Sequence, residues 1–185
     1  MSVATAVIAD RIFPRSQATN VALVFGGAAL TAVAAQIQLP MWPVPMTMQT
    51  FAVLLVGAAL GAKRGALSLS LYLALGAAGL PVFASAKSLT GVLPTAGYIV
   101  GFVVAAALVG FLASRGFSST PVKVALSFAV GSVVIYGFGV AGLMLALGLD
   151  LTTAFSVGVV PFLIGDVAKA ALAAAALPLA WKLIR

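Results

Sequence analysis

Long runs of Leu, Val and Ala, interrupted only by short Gly, Pro and charged punctuation, constrain this chain more than any other feature. From Ser16 to Ala62 no residue is charged, and none is charged between Lys123 and Asp150. Lipid offers backbone N–H and C=O groups no partners, so such segments cross a membrane as helices, which satisfy those groups internally. A β-barrel also closes its own hydrogen bonds, but its strands alternate polar and apolar positions, and these runs do not alternate. A soluble fold fails on area. With 63% of its 185 residues apolar and 7% charged, the chain cannot hide its apolar surface within itself, and that surface must face lipid.

The runs predict six transmembrane helices at 20–37, 46–61, 65–80, 95–113, 122–147 and 155–183. This is an all-α, multi-pass integral membrane fold, with residues 1–19 as a cytoplasmic leader and 20–185 as a single six-helix domain. The second and third runs are short for a hydrocarbon layer of about 30 Å, and the last two are long enough to tilt or to carry a break. Charge sets the orientation. With the N-terminus in the cytoplasm, the inner segments hold Arg11, Arg15, Lys63, Arg64, Arg115, Lys123, Lys182 and Arg185, while the outer loops hold only Lys87. This asymmetry obeys the positive-inside rule and puts both termini in the cytoplasm. The net charge of +7 is therefore a record of topology, and nucleic acid is not an expected partner.

Several function classes drop out. The chain has no Cys and no His, so thiol nucleophiles, imidazole bases, disulfides and the usual zinc and haem ligands are excluded together, and no metal site or enzyme is expected. Gly57-Ala58-Ala59-Leu60-Gly61-Ala62-Lys63 has glycines and a lysine, but not at the spacing of a phosphate-binding loop. No internal repeat of the alternating-access kind is evident. Ala32-Val33-Ala34 resembles a signal-peptidase pattern, yet five further apolar spans follow, so the first run reads as a membrane helix.

The sharpest polar signal is Pro161-Phe162-Leu163-Ile164-Gly165-Asp166-Val167-Ala168-Lys169-Ala170. It sets Asp166 and Lys169 three residues apart on one helix face inside the last span. Insertion there costs about 2.5–3.5 kcal/mol for each charge unless something compensates it. Two readings stand: a structural ion pair, or a polar recognition site, the latter favoured because Asp10 and Asp150 fall outside the spans and leave Asp166 as the lone intramembrane acid. Gln49 follows three prolines, Pro40, Pro43 and Pro45, at the outer entrance of the second helix, where it either reaches towards a cavity or caps the helix. The longest loop, 79–98, resembles a lid. In it Phe83 and Tyr98 are candidate walls of an apolar pocket and Lys87 a candidate anion contact, against an interfacial belt for Tyr98 and a solvated charge for Lys87. In the first span Ala28 and Ala32 lie four apart, a surface suited either to packing within the chain or to docking a partner helix.

On these motifs the chain resembles the BioY family, the substrate-binding S components of energy-coupling factor (ECF) transporters for biotin. The resemblance runs from about Gln36 to Ala170. It is carried by Val44-Pro45-Met46-Thr47-Met48-Gln49-Thr50, by Gly79-Leu80-Pro81-Val82-Phe83-Ala84, by Pro94-Thr95-Ala96-Gly97-Tyr98-Ile99-Val100-Gly101-Phe102, and by the Asp166 and Lys169 segment. It implies high-affinity capture of biotin from the outer side, as transported substrate and not as cofactor. It also implies a prokaryotic plasma membrane location, and partnership with a transmembrane coupling subunit and ATPase subunits, homo-oligomerisation being left open. Asp166 would then accept from a ureido N–H, Lys169 would donate to the ureido carbonyl, and Lys87 would meet the carboxylate tail, or Lys169 would take the carboxylate instead. A self-sufficient carrier or channel is the alternative, and it requires a continuous polar pathway.

Overall fold

The computed structural model describes residues 7–90 and 93–184; residues 1–6 of the expected leader, Gly91 and Val92 of the long loop, and the basic residue Arg185 lie outside them. A short helix α1 (Ile8–Ile12) leads into α2 (Gln17–Gln36), which begins at Ser16, whose Oγ accepts the Thr19 N–H at 3.0 Å. The proline-rich stretch that follows contains no helix. Instead two-residue strands β1 (Gln38–Leu39) and β2 (Met46–Thr47) pair antiparallel across it. Next come α3 (Gln49–Leu60) and α4 (Ala62–Ala77), which share Gly61 as their junction at φ +85°, a conformation glycine adopts without steric cost. After the long connection, α5 (Ala96–Leu112) runs through a π-helical turn, and α6 (Pro121–Leu147) starts with proline in its first turn.

The sixth expected span is a broken element. It opens earlier than expected, at α7 (Leu151–Gly158), capped by Asp150, passes through a 3₁₀ turn at Val160–Phe162, and resumes as α8 (Leu163–Leu183). Pro161 cannot donate the N–H that a continuous helix would need there. Among the described residues four helical stretches are long and apolar enough to cross a membrane: 17–36, 96–117, 121–147 and 151–183. By contrast α3 and α4, at 12 and 16 residues, reach only about 18 and 24 Å, and the hairpin and long loop extend them.

The helices run up and down. α5 is central, packing against α3, α4 and α6, and α8 leans on α6 and α3. Small residues let the backbones meet: a Cβ on Gly97 would collide with the Phe138 carbonyl, and Gly142 lies directly against Gly97. The interior holds Tyr72, Phe128, Leu69, Ile135 and Leu143, while Leu145, Ile164, Val133 and Val167 are 70–89% exposed on the flanks, as lipid-facing residues are. At one end Arg64 binds Asp10 (2.6 Å), Asn20 and the Leu60 carbonyl, tying α1, α2 and α3 together. Arg11, Arg15, Lys63, Arg115, Lys123 and Lys182 lie at that same end; Lys87 lies at the other.

Of the two readings left open for the small-residue row of α2, Ala28 takes the packing one. Ala28 is 2% exposed, and Gly27 abuts Ser68 and Val56, so this row packs against α4 and α3. It is not an open docking face at Ala28; only Ala32, half-buried between exposed Ala29 and Val33, reaches the surface.

Candidate functional site

The break before α8 puts Asp166 in the first turn of a new helix, where the backbone dipole favours a carboxylate. It also frees the Gly158 carbonyl, which accepts a 2.7 Å hydrogen bond from Tyr98 Oη. Gly165 lets the hairpin approach, since a Cβ there would sit 3.0 Å from Met46 Sδ. In this setting Lys169 Nζ donates to Asp166 Oδ1 at 3.0 Å and to Thr50 Oγ1 at 2.8 Å, and Thr50 in turn donates to Asp166 Oδ1 at 3.2 Å. Tyr136 Oη donates to Asp166 Oδ2 at 2.6 Å, and Ser132 Oγ makes a longer approach of 3.4 Å to the same oxygen. The two charged side chains are only 13% and 11% exposed. Three helices, α3, α6 and α8, thus converge on one charge-compensated cluster.

Gln49 anchors a second polar chain beside it. Its Nε2 donates to Tyr72 Oη at 2.6 Å, its Oε1 accepts from Thr47 Oγ1, and Tyr72 passes the chain on to the Val82 carbonyl. Among the described residues no buried side-chain polar atom is left without a partner.

Two cavities flank the cluster. The larger, about 730 Å³, lies between α3, α6, α7 and α8, with apolar walls such as Phe51, Phe128 and Phe155 and with Asp166, Lys169 and Ser132 at one side. The smaller, about 40 Å³, lies under the hairpin and is lined by Val44, Gln49, Tyr98, Phe102, Phe162 and Lys169, among others. Thr50, Tyr136 and Lys169 form the wall between them. Lys169 has used two of its three N–H donors on protein oxygens, so one remains for a ligand.

Of the residues singled out in the sequence, Asp166, Lys169, Gln49 and Tyr98 come together here. Phe83 does not wall either cavity: it is 1% exposed, fills the space above Gly76 and meets Tyr72 edge-on at 5.2 Å, so its role in this conformation is packing. Lys87 is exposed on the long loop; its carbonyl accepts the Phe83 N–H, and its side chain lines neither cavity. Sequence reasoning passed over Thr50, Ser132 and Tyr136. Thr50 stands beside Gln49 in a motif already singled out, but Tyr136 and Ser132 sit in an apolar run with nothing local to mark them. It also passed over Gln36, which holds the long loop by donating to the Phe83 carbonyl and accepting from the Ala86 N–H.

Comparison with known proteins follows the same lines. The BioY family model matches residues 6–185. The probable biotin transporter BioY of Pyrococcus horikoshii is 42% identical over 159 residues, 85% of this chain and 93% of that one. The biotin transporter BioY of Thermotoga maritima is 42% identical over 148 residues, covering 79% and 86%. A crystal structure of the S-component for biotin from an ECF-type ABC transporter superposes with a TM-score of 0.79 over 92% of this chain and 95% of that one, at 22% identity, a likeness of fold.

Proposed function

The chain belongs to the BioY family, and on that footing we propose that it is the biotin-binding S component of an ECF-type vitamin transporter. It spans a prokaryotic plasma membrane six times, with both termini and the basic end of the bundle in the cytoplasm. Biotin enters from the opposite end. The observation that carries this reading is the 40 Å³ chamber, whose lining draws on three motifs far apart in sequence: Val44 to Thr50, Thr95 to Phe102, and Phe162 to Lys169.

The chemistry suits a cyclic urea fused to an apolar ring. The free N–H of Lys169 donates to the ureido carbonyl, and Tyr98, Phe102 and Phe162 enclose the bicycle. Asp166, which lines only the larger cavity across the wall of Thr50, Tyr136 and Lys169, accepts a ureido N–H once one of its present donors yields. Charge-assisted bonds in a place this dry discriminate strongly, because an analogue lacking the group leaves a buried charge unpaired. A chamber of 40 Å³ lies far below the roughly 300 Å³ at which ligand pockets begin. Binding therefore requires the hairpin or the long loop to lift, which also brings Lys87 within reach of the carboxylate tail.

Catalysis has no part in this reading. Energy comes from a transmembrane coupling subunit and ATPase subunits, since the sequence has no phosphate-binding loop of its own, and the exposed edge of α2 at Ala32 is the proposed contact for the coupling subunit. The test is calorimetric titration of the purified protein with biotin, desthiobiotin and a biotin ester. Saturable binding of about one biotin per chain, lost in Asp166→Asn, supports the proposal. Folded protein that ignores biotin, or an Asp166→Asn variant with full affinity, refutes it.

A further inference from the structure

From the basic end a groove of about 1220 Å³ runs between the first half of α2 and most of α4, as far as Ala74. Its mouth carries Arg15 and Lys63, both exposed. Beyond them the walls turn apolar, with Val24, Phe25, Leu67 and Leu71 along the helices. Arg64 also lines the groove, but its charge is satisfied by Asp10, the only acid there. Arg15 and Lys63 have no ion-pair or hydrogen-bond partner among the described residues, which leaves two uncompensated cations above an apolar slot.

The geometry points to a binding site for one anionic phospholipid of the adjacent leaflet, its phosphate between Arg15 and Lys63 and one acyl chain against Phe25 and Leu71. The polarity changes in the order a lipid requires: cations at the depth of the headgroups, hydrocarbon beneath. Two basic residues at a headgroup attract an anionic lipid by roughly fivefold each, and the slot holds a chain that a soluble anion lacks. This site lies at the opposite end of the bundle from the Asp166 cluster and is independent of the biotin reading.

Full-length protein, delipidated in neutral detergent, is titrated with phosphatidylglycerol or phosphatidylcholine, and bound lipid is counted by native mass spectrometry. One phosphatidylglycerol is expected to bind, about tenfold or more tighter than phosphatidylcholine. Arg15→Ala/Lys63→Ala should weaken phosphatidylglycerol by roughly 25-fold, fivefold for each cation; Arg15→Gln/Lys63→Gln serves if the alanine pair does not fold. Leu71→Trp, which fills the acyl slot and keeps both cations, should weaken both lipids. Arg115→Ala/Lys123→Ala removes the same charge from that end but outside the groove, where the two cations lie over Phe111 and Phe117, and should leave the preference intact. Equal losses in the two double variants would overturn the site in favour of diffuse attraction. Displacement by glycerol phosphate at the lipid's own concentration would make it a free-anion site. A wild type that holds no lipid, with Lys63 shielded only by a coupling subunit, would assign the groove to protein.

Discussion

Removing either partner of the Asp166–Lys169 pair should be unequal in cost, and the inequality follows from the hydroxyls around it. In Asp166→Leu the Lys169 ammonium keeps a single protein acceptor, Thr50 Oγ1. Stranding a buried charge costs about 3–5 kcal/mol, and the 730 Å³ cavity beside it leaves room for the leucine, so overpacking adds little. In Lys169→Met the carboxylate keeps donors from Thr50, Tyr136 and Ser132. What is lost is one charge-assisted bond, about 1.5–3 kcal/mol. The double variant strands no charge, but it takes the carboxylate away from the Tyr136, Ser132 and Thr50 hydroxyls, so it should still cost about 1–3 kcal/mol, less than Asp166→Leu, which strands the ammonium as well. Equilibrium unfolding of the reconstituted protein in an SDS titration measures all three. Equal costs for the two single variants, or a double variant no better than Asp166→Leu, would refute the argument that the hydroxyl shell compensates the acid and not the base.

Other consequences are more local. Thr50→Val keeps the shape but removes the hydroxyl that links Lys169 to Asp166, and calorimetry should show biotin bound about tenfold more weakly, as one hydrogen bond to a charged group implies. Gly97→Ala should destabilise strongly, because its methyl meets the Phe138 carbonyl and not a movable side chain, whereas Gly137→Ala, with open space at its Cβ, should gain about 0.5–1 kcal/mol of helix stability; thermal midpoints in detergent separate the two. Asp150 accepts from Thr153 Oγ1 at 2.7 Å and from its N–H at 3.0 Å, which holds its carboxyl below the ordinary 3.8. A lowered folded value means that the cap stabilises fully above 3.8 and is lost as pH falls through the folded value. Amide exchange at the start of α7 should therefore rise at low pH in the wild type, and should be fast and pH-insensitive, beyond the intrinsic rate, in Asp150→Ala.

How much was legible before any coordinate depends on whether the determinant is local. The helical runs, the basic end and the intramembrane pair were readable because hydropathy, charge and an i, i+3 spacing are properties of neighbours in the chain. The length of the last span left room for a break without placing it; that it falls at Pro161 was not legible, since proline in a membrane helix can be carried within it as well as end it. Phe83 looked like a pocket wall because an aromatic in a loop with apolar neighbours has no local signal to distinguish a wall from a plug; what decided was the bare backbone of Gly76, on a helix that ends before the loop begins. Ala28 was undecidable for the same reason, as a small-residue row is the same string whether it meets α4 or another protein.

The sequence alone therefore determined that this chain lives in lipid, which end carries the cations, and that one acid and one base share a helix face, because each of these follows from the chain's own composition and order. Tertiary structure decided the rest. Only the convergence of α3, α6 and α8 could bring Thr50, Ser132 and Tyr136 onto Asp166, residues as far as 116 positions away, and only the gap between α2 and α4 could turn Arg15 and Lys63 from markers of topology into the mouth of a groove. Hydrogen bonding is short-ranged and directional, so which hydroxyl reaches which carboxylate is a property of how helices cross, and no single helix contains it.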